Sequence, residues 1–456
     1  MFSFATDARP LESRPNGFTV EALASVLPQR WVLDAIRACG RRSERVRLLP
    51  DVLTAWVVIL LGLFRRRSYV NLLEMLFEAG HHRGLWAGTG SPTTSALVKA
   101  RDRLGPDPLR HLFERSAAAW IERVPGAYFA GRRVFAMDGS TLKVPDTASN
   151  RKHFGLPGSR RGRANYPQLR LVCLRDVGSR MALDVRFGIF RNGEVSLARK
   201  LLNSIPAGSL LLMDRLFLSY DLLHDLYEQG VDFLVRAKTG LKATVLTPLG
   251  PGDAIVSIAV PRQWRSRRPD MPRQWLLREI RYLPPKGTEE VRLFTTLMLS
   301  EEISRRQLAD LYPQRWQEET AYDELKVHQL DSTTITKPTH LRSLSPKRVE
   351  QKLYGLLIAH NAVRFTMALA AERVDCHPHR LSFTVALTRI REAVPAMMAA
   401  ATLRLAERYG RLLDAIARAR VPWRPGRSHP RAVKTKMSGY PRSRCSTRRR
   451  RRLAMA

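Results

Sequence analysis

Residues 312 to 326 read YPQRWQEETAYDELK, Tyr312 through Lys326. Wound as one helix at about 100° per residue, Tyr312, Arg315, Glu319 and Lys326 fall at roughly 0°, 300°, 340° and 320°. A phenol, two cations and one carboxylate therefore share a face. A core-facing helix would carry apolar residues there, whereas these groups suit gripping phosphate beside a metal-binding acid. Read from charge alone, the face is more simply a solvated one with an Arg315/Glu319 pair at i, i+4. Pro313 suits the first turn of a renewed helix or a kink after Tyr312, so the Tyr312 angle depends on where the helix starts.

Working upstream, the period changes at Arg132. RVFAMDGS (133–140) is an apolar run ending on an acid and a glycine turn, which predicts a strand with the Asp138 carboxylate at its far end. LRLVCLRDV (169–177) and MALDVRFGIF (181–190) predict a hairpin around Gly178. A helix follows over Asn192 to Leu202, and GSLLLMDRLFLS (208–219) then repeats the pattern of apolar strand followed by acid, at Asp214. Alone, an aspartate at a strand end is a turn former or a helix cap; two of them in a βββαβ order are less casual. A further helix stops at Gly230, and VDFLVRAKTG (231–240) predicts a fifth strand whose Arg236 and Lys238 point the same way. From about 241 to 300, alternating strands with proline and glycine break the strand-helix order and predict a β-rich insertion.

Composition narrows the function. The chain has 456 residues, 44% hydrophobic and 26% charged, which is ordinary globular usage with room for two to four domains. Its net charge of +36 is not ordinary and draws in polyanions, nucleic acid first and an acidic membrane surface second. The longest apolar run, Val52 to Phe64, has 13 residues, too few to span a bilayer, and MFSFATDARP lacks a signal-peptide pattern. Both point to a soluble intracellular protein. Cys39, Cys173, Cys376 and Cys445 form no CxxC pair, so neither a disulfide framework nor a cysteine zinc site is suggested. Residues 1 to 125 are predicted helical, with Lys99, Arg101 and Arg103 on one helix available to phosphates if it is a recognition helix, a plain surface helix being an equal reading. Val421 to Ala456 holds 12 Lys/Arg and no acid, including the run Arg448 to Arg452, and predicts sequence-blind DNA contact.

The spacing Tyr312, two residues, Arg315, three residues, Glu319, six residues, Lys326 resembles the Y-R-E-K signature of the DDE insertion-sequence transposases, and Trp316 after the arginine is familiar from the same family. Asp214-Arg215-Leu216-Phe217 fits the family's DRxF pattern. The resemblance runs from about residue 90 to 440. It implies an α/β fold with an RNase H-like mixed sheet, interrupted by the β-rich insertion and flanked by a helical N-terminal domain and a helical, basic C-terminal region. The implied boundaries are 1–125 helical and DNA-binding, 126–240 first part of the core, 241–300 insertion, 301–375 closing helices, and 376–456 C-terminal region with the basic tail. In the resembled family the insertion carries an aromatic that stacks on a flipped base; Trp264 and Trp275 are the platforms available here, though a buried structural tryptophan is the better reading of each.

The resemblance further implies Asp138, Asp214 and Glu319 as catalytic, metal-holding acids for two Mg²⁺ ions, with Mn²⁺ able to substitute. Tyr312, Arg315, Lys326, Arg236 and Lys238 become the DNA-contacting set. Partners are double-stranded DNA, as transposon terminal repeats and target, and a second copy of the chain. The reaction is cut-and-paste transposition through hairpin ends, and the place is the bacterial cytoplasm at the nucleoid. Asp323, about 40° from Glu319 on the helix, is the rival third ligand; Glu318 points elsewhere, and Asp146 and Asp184 lack the strand-then-turn setting. Two other readings stand beside this one: a catalytically retired DNA-binding descendant, and an RNase H-like nuclease without strand transfer.

Overall fold

The computed structural model describes residues 26–43, 48–82, 92–159, 162–284, 289–330, 341–400 and 404–422. The basic tail from Arg424 to Arg452 lies outside the described residues. By contact the chain divides into two units, one built from segments up to Trp120 and from Glu350–Val421, the other from Ile121–Val349.

The first unit is helical. Asp51–Leu63 is apolar all round and buried along nearly its whole length, the pattern of a central helix. Gly62 and Gly355 let two helix backbones touch, since a Cβ on either would lie 2.7 Å from a carbonyl oxygen of the facing helix. Thr94–Leu104 is capped by Thr93, whose side chain accepts from Ala96 N, and stops at Gly105 with φ +69°. One expectation fails on it: Arg101 is buried and donates to Gln351 Oε1 at 2.7 Å and to Tyr69 Oη at 3.1 Å, so it does not face phosphate. Pro346–Glu372 has the length and apolarity of a membrane span, yet it is mostly buried in the protein and carries Lys352, His360, Asn361 and Arg364 in the core.

The second unit is built on a mixed sheet. Its strands are β1 Arg132–Lys143, β2 Gln168–Asp176, β3 Ala182–Ile189, β4 Leu210–Met213, β5 Asp232–Arg236, β6 Thr244–Gly250, β7 Asp253–Ala259, β8 Gln274–Tyr282 and β9 Val291–Thr295. They lie in the order β3-β2-β1-β4-β5-β9-β8-β7-β6, with Tyr128–Phe129 pairing β1 as the tenth strand. The β1, β4 and β5 strands run parallel, and every other neighbouring pair is antiparallel. The RNase H-like mixed sheet expected from the sequence is this one. Two details differ. Residues 241–300 do not stand apart: β9 pairs antiparallel with β5, so the inserted strands lengthen the core sheet and satisfy an edge that would otherwise expose unpaired backbone groups. And β1 does not end at Asp138, because β2 pairs with it from Phe135 to Lys143. Only its parallel pairing with β4 ends there.

Two apolar layers sandwich the sheet. One contains Phe135, Met137, Leu211, Met213 and Phe233 with the helix Tyr220–Glu228; the other contains Val134, Ala136, Leu210 and Leu212 with Leu308 and Tyr312. Period-2 alternation assigns successive strand residues to opposite layers.

Candidate active site

Asp138 and Asp214 owe their adjacency to register. Val134–Met137 pairs in parallel with Leu210–Met213, Met137 opposite Met213. Each strand carries an aspartate at its next residue, so the two carboxylates leave neighbouring strands, about 4.8 Å apart, at one level. By alternation they belong to the face of Ala136 and Leu212, the face covered by Leu308 and Tyr312 of the closing helices. Asp138 Oδ1 accepts from Gly139 N at 2.8 Å, and Asp214 Oδ1 accepts from Arg215 N at 2.7 Å.

Glu319 reaches the same place from the far end of the sequence. The segment quoted first is not one helix: Tyr312–Trp316 is a 3₁₀ turn, Gln317–Asp323 is α-helical, and Glu324–Gln329 is a π-helical turn. Pro313, which has no N–H to give to an α-helical bond, sits in the 3₁₀ turn, and π turns recur where a side chain is re-aimed at a functional site. The four signature residues nevertheless converge on the middle of β1, around Asp138 and Ser140, and on the end of β4. Arg315 Nη1 lies 3.5 Å from Asp138 Oδ2 and its Nη2 lies 3.3 Å from Glu319 Oε1. Lys326 Nζ donates to Ser140 Oγ, two residues past Asp138. Tyr312 Oη donates to the Met213 carbonyl at 3.2 Å, beside Asp214.

The electrostatics follow from crowding acids around one guanidinium. Burial pushes the Asp138 carboxyl up to about 6, Arg315 and the Gly139 N–H oppose this, and the Glu319 and Asp214 carboxylates add to it. Arg315 in turn feels Asp138, Asp214 and Glu319 together. Lys326 is lowered by burial against the pull of Asp138. Among the described residues no group of three His, Cys, Asp or Glu side chains is close enough, as it stands, to hold a metal ion. Asp138 and Glu319 instead share Arg315 as their cation, through contacts at the long end of hydrogen-bonding distance, and Asp214 adds to the same field without touching it.

The remaining expectations resolve as follows. Tyr312 is 6% exposed, buried in the layer under the acids rather than open to phosphate. Arg236 is half-buried and electrostatically coupled to Tyr312, while Lys238 is exposed two residues on. Asp323 is taken by His328 at 3.3 Å. Glu318 is fully buried and paired with Arg175. Asp146 pairs with Arg151, and Asp184 is buried among Ser204, Arg186 and its own strand. Trp275 is buried, Trp264 packs half-buried against Tyr220, and Trp316, beside Arg315, is 47% exposed.

Two neighbours of the acids went unread in the sequence. Tyr322, buried, donates from its hydroxyl to the Asp138 carbonyl at 2.9 Å; its place three residues after Glu319 was the only available signal. Glu194, at the start of the helix Glu194–Arg199, fills the space where a Cβ on Gly139 would stand. Burial raises its carboxyl, Arg170 opposes and Asp214 adds. The glycine after Asp138 thus reads as room for Glu194 as well as a turn.

Two protein families match the chain, and it has curated relatives along most of its length. The family described as transposase DDE domain matches residues 129–362, and insertion element 4 transposase N-terminal matches residues 18–114. Transposase InsG for insertion sequence element IS4, from Escherichia coli (strain K12), is 27% identical over 426 residues, 92% of this chain and 93% of the relative. Putative transposase InsZ from the same organism is 30% identical over 223 residues, 48% of this chain and 71% of the relative. A cryo-EM structure of a piggyBac transposase synaptic complex with hairpin DNA aligns at a TM-score of 0.44 and 12% identity, covering 88% of this chain and 85% of that one.

Proposed function

This chain belongs to the DDE transposases of insertion sequences, metal-dependent enzymes that cut DNA, and we propose that Asp138, Asp214 and Glu319 are the acids with which it cuts and joins transposon ends. The observation that carries the assignment is the parallel register of Met137 with Met213, which sets the two aspartates side by side, with Glu319 linked to Asp138 through Arg315.

The donor set fits hard divalent cations: carboxylate oxygens only, with an Asp138 whose charged form is disfavoured first by burial and then by the Glu319 and Asp214 carboxylates beside it. Asp138, Asp214 and Glu319 would hold two Mg²⁺ ions, for which Mn²⁺ can substitute, and the chemistry these would supply is charge neutralisation at the scissile phosphate and a more acidic attacking water. Arg315 yields its long contacts to the acids and turns its guanidinium to a phosphate oxygen, a bidentate match. Lys326, held over Ser140, presents a point charge to the same strand of DNA, and Arg236 and Lys238 extend the grip along the backbone. Tyr312 anchors the strand end before Asp214 from below and thereby orients the acid. No covalent attachment to the protein is needed, since the freed 3′-hydroxyl serves as the next nucleophile.

The route through hairpin ends, the pairing of two copies on the terminal repeats, the helical 1–125 segment as end-binding domain and action at the bacterial nucleoid rest on kinship with the family. Replacement of Asp138 or Asp214 by Asn, or Glu319 by Gln, tests the core of the reading. Mn²⁺-dependent nicking of a duplex carrying the element's terminal repeat should vanish while salt-sensitive binding of that duplex persists. Nicking retained in any one variant removes that residue from the metal site, and a wild type that binds ends without ever nicking them makes the chain a retired DNA-binding descendant.

A further inference from the structure

The helix bearing Glu319 is clamped from its other side by a turn that plays no part in the chemistry above. Between β2 and β3 the chain reverses over Asp176–Met181. Asp176 Oδ2 accepts from Ser179 N at 2.7 Å and from Ser179 Oγ at 2.6 Å, its Oδ1 accepts from Arg133 Nε at 2.8 Å, and Asp176 N donates to the Met181 carbonyl at 3.1 Å. Gly178 presses so closely on Ala127 that an added Cβ would lie 2.5 Å from its backbone nitrogen. Arg180, a residue with a side chain, is held at φ +62°, a conformation that favours glycine.

What this turn holds is the Glu319 helix. Arg180 Nε donates to Gln317 Oε1 at 2.6 Å and its Nη1 to Glu324 Oε1 at 3.0 Å. Gln317 and Glu324 are seven residues apart, about two helical turns, so one guanidinium grips a single helical face at both ends. Arg175, at the end of β2, donates from Nε to Glu318 Oε2 at 2.8 Å, with 2% and 0% of the two side chains exposed. Its guanidinium also lies 5.1 Å from the Tyr322 ring centre, and the Tyr322 hydroxyl binds the Asp138 carbonyl. With Gln317, Glu318 and Glu324 tied to the turn, Glu319 is fixed about 200° around the helix from Gln317. A rotation of one residue, about 100°, would offer Glu318 or Thr320 to Asp138 instead.

We propose that the Asp176–Met181 turn, acting through Arg175 and Arg180 on Gln317, Glu318 and Glu324, sets the rotation of the Glu319 helix, making Arg175, Arg180 and Glu318 positioning residues for metal binding. The left-handed conformation of Arg180 is the cost of aiming one guanidinium at two helix positions. This inference rests on Glu319 being the third acid.

Arg180→Gly tests it with the backbone spared, because glycine accepts φ +62° without strain and only the guanidinium is lost. In full-length protein bound to terminal-repeat duplex, Mn²⁺ binding followed by electron paramagnetic resonance should weaken about tenfold. The Mn²⁺ concentration for half-maximal nicking should rise in step, with nicking at saturating Mn²⁺ largely restored and the salt dependence of DNA binding unchanged, while the loss of a partner by the buried Glu324 lowers the melting temperature. Glu318→Gln, which keeps a hydrogen bond to Arg175 but not the charge, should shift the Mn²⁺ midpoint in the same direction by less. Unchanged Mn²⁺ binding in both variants, alongside its loss in Glu319→Gln, overturns the positioning role and leaves the third acid in place. Unchanged Mn²⁺ binding in Glu319→Gln itself refutes the underlying assignment instead.

Discussion

Asp138→Asn should make the metal-free protein more stable while removing its activity. The Asp138 side chain is 21% exposed, and its carboxyl is raised from 3.8 to about 6 by burial and by its two acidic neighbours, net of the opposing Arg315. An acid whose folded pKa lies above its unfolded value adds no penalty below the unfolded pKa, and the folded state loses stability as pH rises through the folded pKa. The shift corresponds to about 3 kcal/mol at pH 8, at 1.36 kcal/mol for each pKa unit, and to about half that at pH 5. Asparagine keeps the size and the oxygen facing Gly139 N but carries no charge, so the variant gains what the wild type loses. Urea unfolding in EDTA at pH 8 and pH 5 measures both arms, and saturating Mn²⁺ should abolish or reverse the difference by stabilising only the wild type. A variant no more stable than wild type at pH 8, or a gain of the same size at both pH values, would refute the claim that the acids are short of positive charge when no metal is bound.

Other consequences are local. Tyr322→Phe removes the hydroxyl that donates to the half-buried Asp138 carbonyl and should cost about 0.5–1.5 kcal/mol in unfolding free energy, with no change in the salt dependence of DNA binding. Gly178→Ala forces the turn away from Ala127 and should lower stability by about 1–3 kcal/mol; an unaltered melting temperature would mean the turn is not seated as described. Truncation after Arg420 removes the 12 cations counted in the tail and should flatten the slope of log affinity against log salt for any duplex, whereas an unchanged slope would mean that the tail does not touch DNA.

Local chemistry was legible in the linear chain because it depends on local geometry. An apolar run followed by an acid marks where a strand loses its cover, at Asp214 by leaving the sheet and at Asp138 by outrunning its parallel neighbour, and the interval from Arg315 to Glu319 is close to one helical turn whatever surrounds it. The succession of strands and helices along the core, and the helices among the described residues before Trp120, follow from the same periodicities. Non-local packing decided the rest. That Met137 faces Met213, and not a neighbour one residue away, depends on two strands separated by a hairpin and a helix, and it alone brings the aspartates level. Tyr312 and Arg101 look like phosphate ligands by residue type, yet each is buried because a neighbouring segment covers it. The strands of 241–300 could have formed their own sheet; the open edge of β5 recruited them. Nothing in the order of residues announces that Arg180 reaches Gln317 and Glu324, for that contact exists only once hairpin and helix have packed. Backbone periodicity is a property of neighbours along the chain, whereas register, burial and long-range ion pairs are properties of surfaces that meet only on folding.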